Sequence, residues 1–236
     1  MSAIDNLLSG DSMGDLGRKA KAKRIFQYSL LRPGQKYLVS MRDHLDEQTK
    51  RDIETNAARF IEKDFYLRTK LATGTNQELV FASESELVGV RNVDKAVLSS
   101  TTPCVITALK LSYAYHATSA EPAEQQYTNA MDAETGGTTP LVIPAALLNG
   151  EVEFSQDGKP FFKCPVKRFF REALSVGSAV EGIYDVVRIK PQLVKKGAPV
   201  QVEIRYAKNL AGSAIALPAN NHFIEVRWFV DTVAQK

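Results

Sequence analysis

Asp157-Gly158 stands between two short runs in which apolar and polar side chains alternate, and no other feature of the chain narrows its fold as much. Both central positions of a type I′ turn need positive φ, which Asp-Gly tolerates. The flanking runs EVEFSQ (151–156) and KPFFKCP (159–165) carry the two-residue period of strands. An antiparallel hairpin is therefore predicted. Pro160 and Pro165 push its second arm toward a sheet edge, because proline donates no ladder hydrogen bond.

The same period recurs along the chain. Residues 104–117 (CVITALKLSYAYHA) form the longest candidate strand. Alternation places Val105, Thr107, Leu109, Leu111, Tyr113 and Tyr115 on one face, with Ile106, Ala108, Lys110, Ser112, Ala114 and His116 on the other. Residues 200–206 point Val200, Val202, Ile204 and Tyr206 inward, and 222–233 do the same with Ile224, Val226, Trp228 and Val230. Glu225, Arg227 and Asp231 fall on the opposite face of that last run. Strand character is also predicted for 24–31 and 36–41 around a turn at Pro33-Gly34, for 65–72 and 77–82, and for 183–190, which ends at Pro191.

Helical periodicity is confined to a few places. Residues 43–62 (DHLDEQTKRDIETNAARFIE) predict one helix, with Asp43 as its N-cap and Leu45, Thr49, Ile53, Ala57, Phe60 and Ile61 on one face. Pro144 is placed to begin a short helix within 141–148. Helices do not alternate with strands, so a parallel α/β sheet is disfavoured. The fold class predicted is mainly β: an antiparallel jelly-roll-type β-sandwich over 25–236, one helix near 43–62, and an N-terminal arm over 1–24. The 236 residues are enough to bury a core without staples. Cys104 and Cys164 are too few for a disulfide framework and read as two buried thiols.

The formal charge is +3, but it is unevenly distributed. Arg18, Lys19, Lys21, Lys23 and Arg24 lie together with no acid between them, and without them the body is slightly acidic. The cationic character is a local arm, which argues against a nucleic-acid-binding surface over the whole body. Ile4, Leu7 and Leu8 precede it at helical spacing, so the arm joins a short apolar face to cations suited to anionic lipid or to phosphates. A solubilising tail is the plainer reading of the same residues. No run is long enough for a membrane span, and the first residues lack the basic-then-apolar order of a signal peptide. Synthesis and assembly in a cytosol are expected.

Chemistry is hard to place. His44, His116 and His222 are the three histidines, and each reads more simply as a cap, an edge or a strand-entrance residue than as a catalyst. There is no Cys-x-x-Cys, His-x-x-x-His or EF-hand spacing, and Gly136-Gly137-Thr138-Thr139 lacks the lysine of a phosphate loop. The sequence calls for no catalytic residue, metal or cofactor. The segment 159–171 interleaves Phe161, Phe162, Phe169 and Phe170 with five bases, as single-strand binders do. Core packing explains the same residues and is favoured. Residues 118–140 make a long polar excursion of the kind that forms interfaces, and Tyr127, Asp132 and Glu134 are its candidate self-association residues.

Leu148-Asn149-Gly150, the alternating strand, Gln156-Asp157-Gly158-Lys159, the run to Pro165 and Phe169-Phe170 together resemble one family, as does the terminal HFIEVRWFVDTV. It is the jelly-roll major capsid proteins of tail-less, membrane-containing icosahedral bacteriophages. The resemblance implies upright jelly rolls, usually trimeric, that tile a shell, with N-terminal arms on the inner side near lipid or genome. It brings no catalytic motif. A double jelly roll usually needs a longer chain, so one roll or a reduced pair is expected. The function expected is a self-assembling structural virion subunit, not an enzyme. Its partners would be copies of itself in a trimer or larger assembly, other virion proteins, and inner membrane lipid or the viral genome. A nucleic-acid- or lipid-binding accessory β-module is the alternative.

Overall fold

The computed structural model describes residues 28–55, 57–72, 76–80, 83–129, 132–134, 140–170, 186–218 and 221–234. The arm, including Arg18, Lys19, Lys21, Lys23 and Arg24, lies outside the described residues.

Ten strands are described: β1 (Arg59–Lys70), β2 (Gln77–Glu78), β3 (Cys104–His116), β4 (Asp132–Glu134), β5 (Pro140–Val142), β6 (Glu151–Gln156), β7 (Lys159–Pro165), β8 (Val187–Val194), β9 (Val200–Arg205) and β10 (Asn221–Ala234). Two four-stranded antiparallel sheets result, in the orders β1-β10-β3-β8 and β2-β9-β6-β7. β4 and β5 make a separate two-stranded ribbon inserted between β3 and β6.

The pairing is nested. β1 pairs with β10, β2 with β9, β3 with β8, and β6 with β7. A long antiparallel hairpin folded over on itself gives this order, with successive pairs falling alternately in one sheet and the other. That is the jelly-roll connectivity, obtained here with eight principal strands. Antiparallel alternation then places the C-terminal ends of β1, β3, β7 and β9 and the N-terminal ends of β2, β6, β8 and β10 at one end of the sandwich.

Between the sheets lies one large core. Trp228, Phe154, Tyr113, Leu109, Leu111, Val152, Val202, Ile204 and Val226 are essentially free of solvent. Trp228 meets Phe154 edge-on, with centroids 6.4 Å apart, a favoured aromatic geometry. The hairpin predicted at Asp157-Gly158 is present, with φ of 49° and 70° at the two residues. β7 is an edge strand, as its prolines require. Phe169 and Phe170 are buried, Phe161 and Phe162 pack against the core, and Arg168 stacks over Phe162, so the 159–171 aromatics serve packing.

Several expectations are corrected. Residues 36–40 of the predicted strand 36–41 lie in helix α1 (Pro33–Ser40), and of the predicted strand 24–31 residues 28–30 are helical too while 24–27 lie outside the described residues. Pro33 therefore starts a helix rather than a turn, a position where its missing N–H costs nothing. The helix predicted over 43–62 shortens to α2 (Glu47–Glu54), preceded by a 3₁₀ turn at Arg42–His44. Asp46, not Asp43, caps α2: it accepts from Thr49 N–H at 3.0 Å and from the Thr49 hydroxyl at 2.7 Å. Residues 59–62 belong to β1, where pairing with β10 outweighs helical spacing. Of the strand predicted over 77–82, residues 77–78 form β2, 79–80 do not extend it and 81–82 lie outside the described residues; of that over 183–190, 183–185 lie outside them, and β8 runs through Pro191 rather than ending there. β8 is an edge strand, so that proline removes no ladder bond.

The alternation read along β3 is also broken. Ala108 faces Phe229 and Ile106 faces Val230, leaving Thr107 as an extra residue whose hydroxyl donates to Phe229 O at 3.2 Å. One inserted residue reverses the phase of everything before it. Ile106 consequently joins the main core with Leu109, while Val105 turns outward to Leu38 and Val233.

Candidate functional site

The outer face of the β1-β10-β3-β8 sheet is covered from both ends. At one end α1 packs Leu38 against Val105 and Val233, with Phe60 and Leu193 beside them. At the other, residues 87–92 pair along β1: Arg68 N–H donates to Val90 O, and Asn92 N–H to Tyr66 O. This cover closes the free edge of β1.

Under the second cover lies a charge cluster. Glu225 is 2% exposed and accepts from Arg68 Nε at 2.7 Å and from Arg227 Nε at 2.7 Å. Arg68 also donates to Gly89 O, and its guanidinium lies 5.2 Å from the Tyr66 ring and 5.0 Å from the Tyr127 ring. The polar face of β10 is thus largely enclosed, because the long connections fold back over it.

Beside the start of α1 a cavity of about 610 Å³ remains open on this face. Arg32, Pro33 and Gly34 line it from the start of α1, Glu62, Asp231 and Phe229 from β1 and β10, and Thr107, Ala108, Lys110, Arg188, Ile189 and Pro191 from β3 and β8. Arg32 bonds Glu62 across the rim. Asp231 is 4% exposed and accepts from Gln35 Nε2 at 3.3 Å. Burial, reinforced by nearby Glu62, holds the Asp231 carboxyl above the usual carboxylate range. The Thr107 bulge shapes this cavity, and no sequence signal marked it.

Each candidate interface residue has a described local setting. Tyr127 is half-buried, its ring against Arg68 and its hydroxyl donating to Pro122 O at 3.0 Å. Asp132 and Glu134 lie on β4, paired with Val142 and Pro140 of β5.

Each histidine is accounted for. His44 sits in the 3₁₀ turn, and His116 accepts the Ser119 N–H at 2.8 Å through Nδ1. His222 is buried between Tyr113, whose hydroxyl lies 2.5 Å from Nδ1, and Pro218 O, 2.9 Å from Nε2. The carbonyl accepts only from an N–H, so Nε2 carries the proton and Nδ1 accepts from the tyrosine. Among the described residues no three His, Cys, Asp or Glu side chains gather to hold a metal.

No known protein family and no curated protein matches the sequence. Among solved structures, the chain is similar to VP17, a capsid protein of bacteriophage P23-77, at 10% sequence identity and a TM-score of 0.32. That similarity spans 76% of this chain and 98% of VP17. It is a loose likeness. The assignment as a jelly roll stands on the nested strand order instead.

Cys104 and Cys164 are free and buried, matching the expectation of two thiols. Burial pushes their pKa values up to about 12 and about 11, so neither is a ready nucleophile near neutral pH.

Proposed function

We propose that the chain is a structural subunit of a virion shell, made and assembled in a host cytoplasm. The observation that carries this reading is the pairing of a jelly roll around one large buried core with exposed apolar loop residues that nothing within the described residues covers. Val88 is 96% exposed, with Leu87 beside it, and Leu210 projects fully into solvent near exposed Ile215. Burying one such side chain against a neighbouring copy contributes about 1.5–3 kcal/mol. A few contacts of this size per interface suit a lattice of many weak, repeated joints.

The excursion at 118–140, with Tyr127, Asp132 and Glu134, is assigned to contacts between copies. The arm, through Arg18, Lys19, Lys21, Lys23 and Arg24, is assigned to inner lipid or genome. Neighbouring copies and other virion proteins are the partners, and the subunit has no catalytic role.

Sedimentation and negative-stain microscopy of the full chain test the proposal. Trimers, rings or lattices are expected at high concentration, and Val88→Lys with Leu210→Lys should reduce them without lowering the melting temperature. Deleting residues 1–24 should impair shell closure or cargo association while leaving the sandwich folded. A stable monomer at every concentration, with and without lipid or nucleic acid, overturns the proposal.

A further inference from the structure

Among the described residues, the lining of the outer-face cavity holds one more cation than it holds carboxylates. Of its three cations, Arg32 is paired with Glu62. Lys110 and Arg188 have no carboxylate partner among the described residues, yet they reach the same space from the neighbouring strands β3 and β8. The remaining acid, Asp231, is held by the uncharged Gln35 amide. Ile189, Pro191 and Phe229 supply an apolar wall. At about 610 Å³ the space falls in the range of small-ligand sites.

We propose that this cavity binds a phosphomonoester with an apolar body, its phosphate held by Lys110 and Arg188 and its body lying against Ile189, Pro191 and Phe229. Two cations without a carboxylate partner among the described residues balance a phosphate of charge about −1.5 to −2 better than they balance one carboxylate. The guanidinium fork of Arg188 fits two phosphate oxygens, and Lys110 adds a point charge that can turn toward a third. A free alkyl phosphate and the headgroup of phosphatidic acid share this chemistry. The site is formed within one chain, so it does not depend on shell assembly.

Calorimetric titration of the full chain with hexyl phosphate and with inorganic phosphate tests the site. Hexyl phosphate should bind saturably, one per chain, and more tightly than inorganic phosphate. Lys110→Ala and Arg188→Ala should each weaken binding about tenfold or more, the scale of a lost charge-assisted hydrogen bond. Lys159→Ala, on β7 of the other sheet, should leave it unchanged. Thermal melts check that the variants fold, which their partly exposed positions allow.

Co-sedimentation with phosphatidylcholine vesicles, with or without phosphatidic acid, separates the two sources of phosphate. The basic arm attracts any anionic surface, so the readout is the difference between the native chain and the double variant. A loss specific to phosphatidic acid assigns the site to a lipid headgroup; hexyl phosphate binding without that loss assigns it to a free phosphomonoester. No saturable hexyl phosphate binding up to about 1 mM, or binding indifferent to both substitutions, overturns the proposal.

Discussion

Gly34 of α1 lies so close to Asp231 of β10 that a Cβ on the glycine would overlap the aspartate's Oδ2 and come within 2.6 Å of Thr107 Cγ2. A helical glycine replaced by alanine ordinarily gains up to about 1 kcal/mol of helix propensity. Here overpacking, costing about 1–3 kcal/mol, wins. Gly34→Ala is therefore expected to lower stability, measured as a reduced urea midpoint with an unchanged slope. A stabilised variant would show that α1 rides higher on the sheet than described.

Asp231 itself gives a pH signature. Its folded pKa is raised, so the protonated form favours the folded state. That contribution is fully present below the ordinary carboxylate pKa and is lost as pH rises through the folded value. Asp231→Asn keeps an oxygen acceptor for Gln35 and removes the titration. It should stabilise the protein at pH 7 and have little effect near pH 3, as read from denaturant unfolding at both values.

His222 acts in the opposite sense. Burial lowers its pKa, so the stability it contributes is present above the ordinary imidazole pKa and lost as pH falls toward the folded value. Tyr113→Phe leaves Nδ1 as a buried acceptor without its donor, at a cost of about 1–3 kcal/mol near pH 7. Imidazole NMR shifts of the native chain should report a titration below the range of free histidine.

Glu225 sits between two arginines and cannot lose one without consequence. Arg68→Met should destabilise the fold by on the order of 3 kcal/mol, because the carboxylate keeps only Arg227. Pairing it with Glu225→Gln should recover part of that loss, since the buried charge that had lost one of its two partners is then gone. Strict additivity in this double-mutant cycle would contradict the described cluster.

The sheet interior was largely legible in the sequence, and its outer cover was not. The alternation at 200–206 and 222–233 carried the inward faces of β9 and β10 directly into the core. Asp157-Gly158 carried the hairpin, because a positive φ at both residues is a local demand. Tyr37, Leu38 and Val39 permit either a strand or a helix when read alone; docking of Leu38 onto Val105 and Val233 selected the helix. The Thr107 bulge had no sequence mark, since any residue there could have continued the period. Loop length and polarity mark Tyr127, Asp132 and Glu134 as candidate contacts, but they do not reveal that Tyr127 leans on Arg68.

Short-range chemistry settled where most strands run, which side chains point inward, and where the tightest hairpin turns. Those outcomes depend on torsion preferences and two-residue spacing, and both are local properties. The nested order of the sheets, the enclosure of Glu225 and Asp231, and the cavity beside α1 were decided only by the folded chain. Each depends on residues far apart in sequence meeting in space, as when Lys110 and Arg188 reach one cavity and Gly34 closes against Asp231.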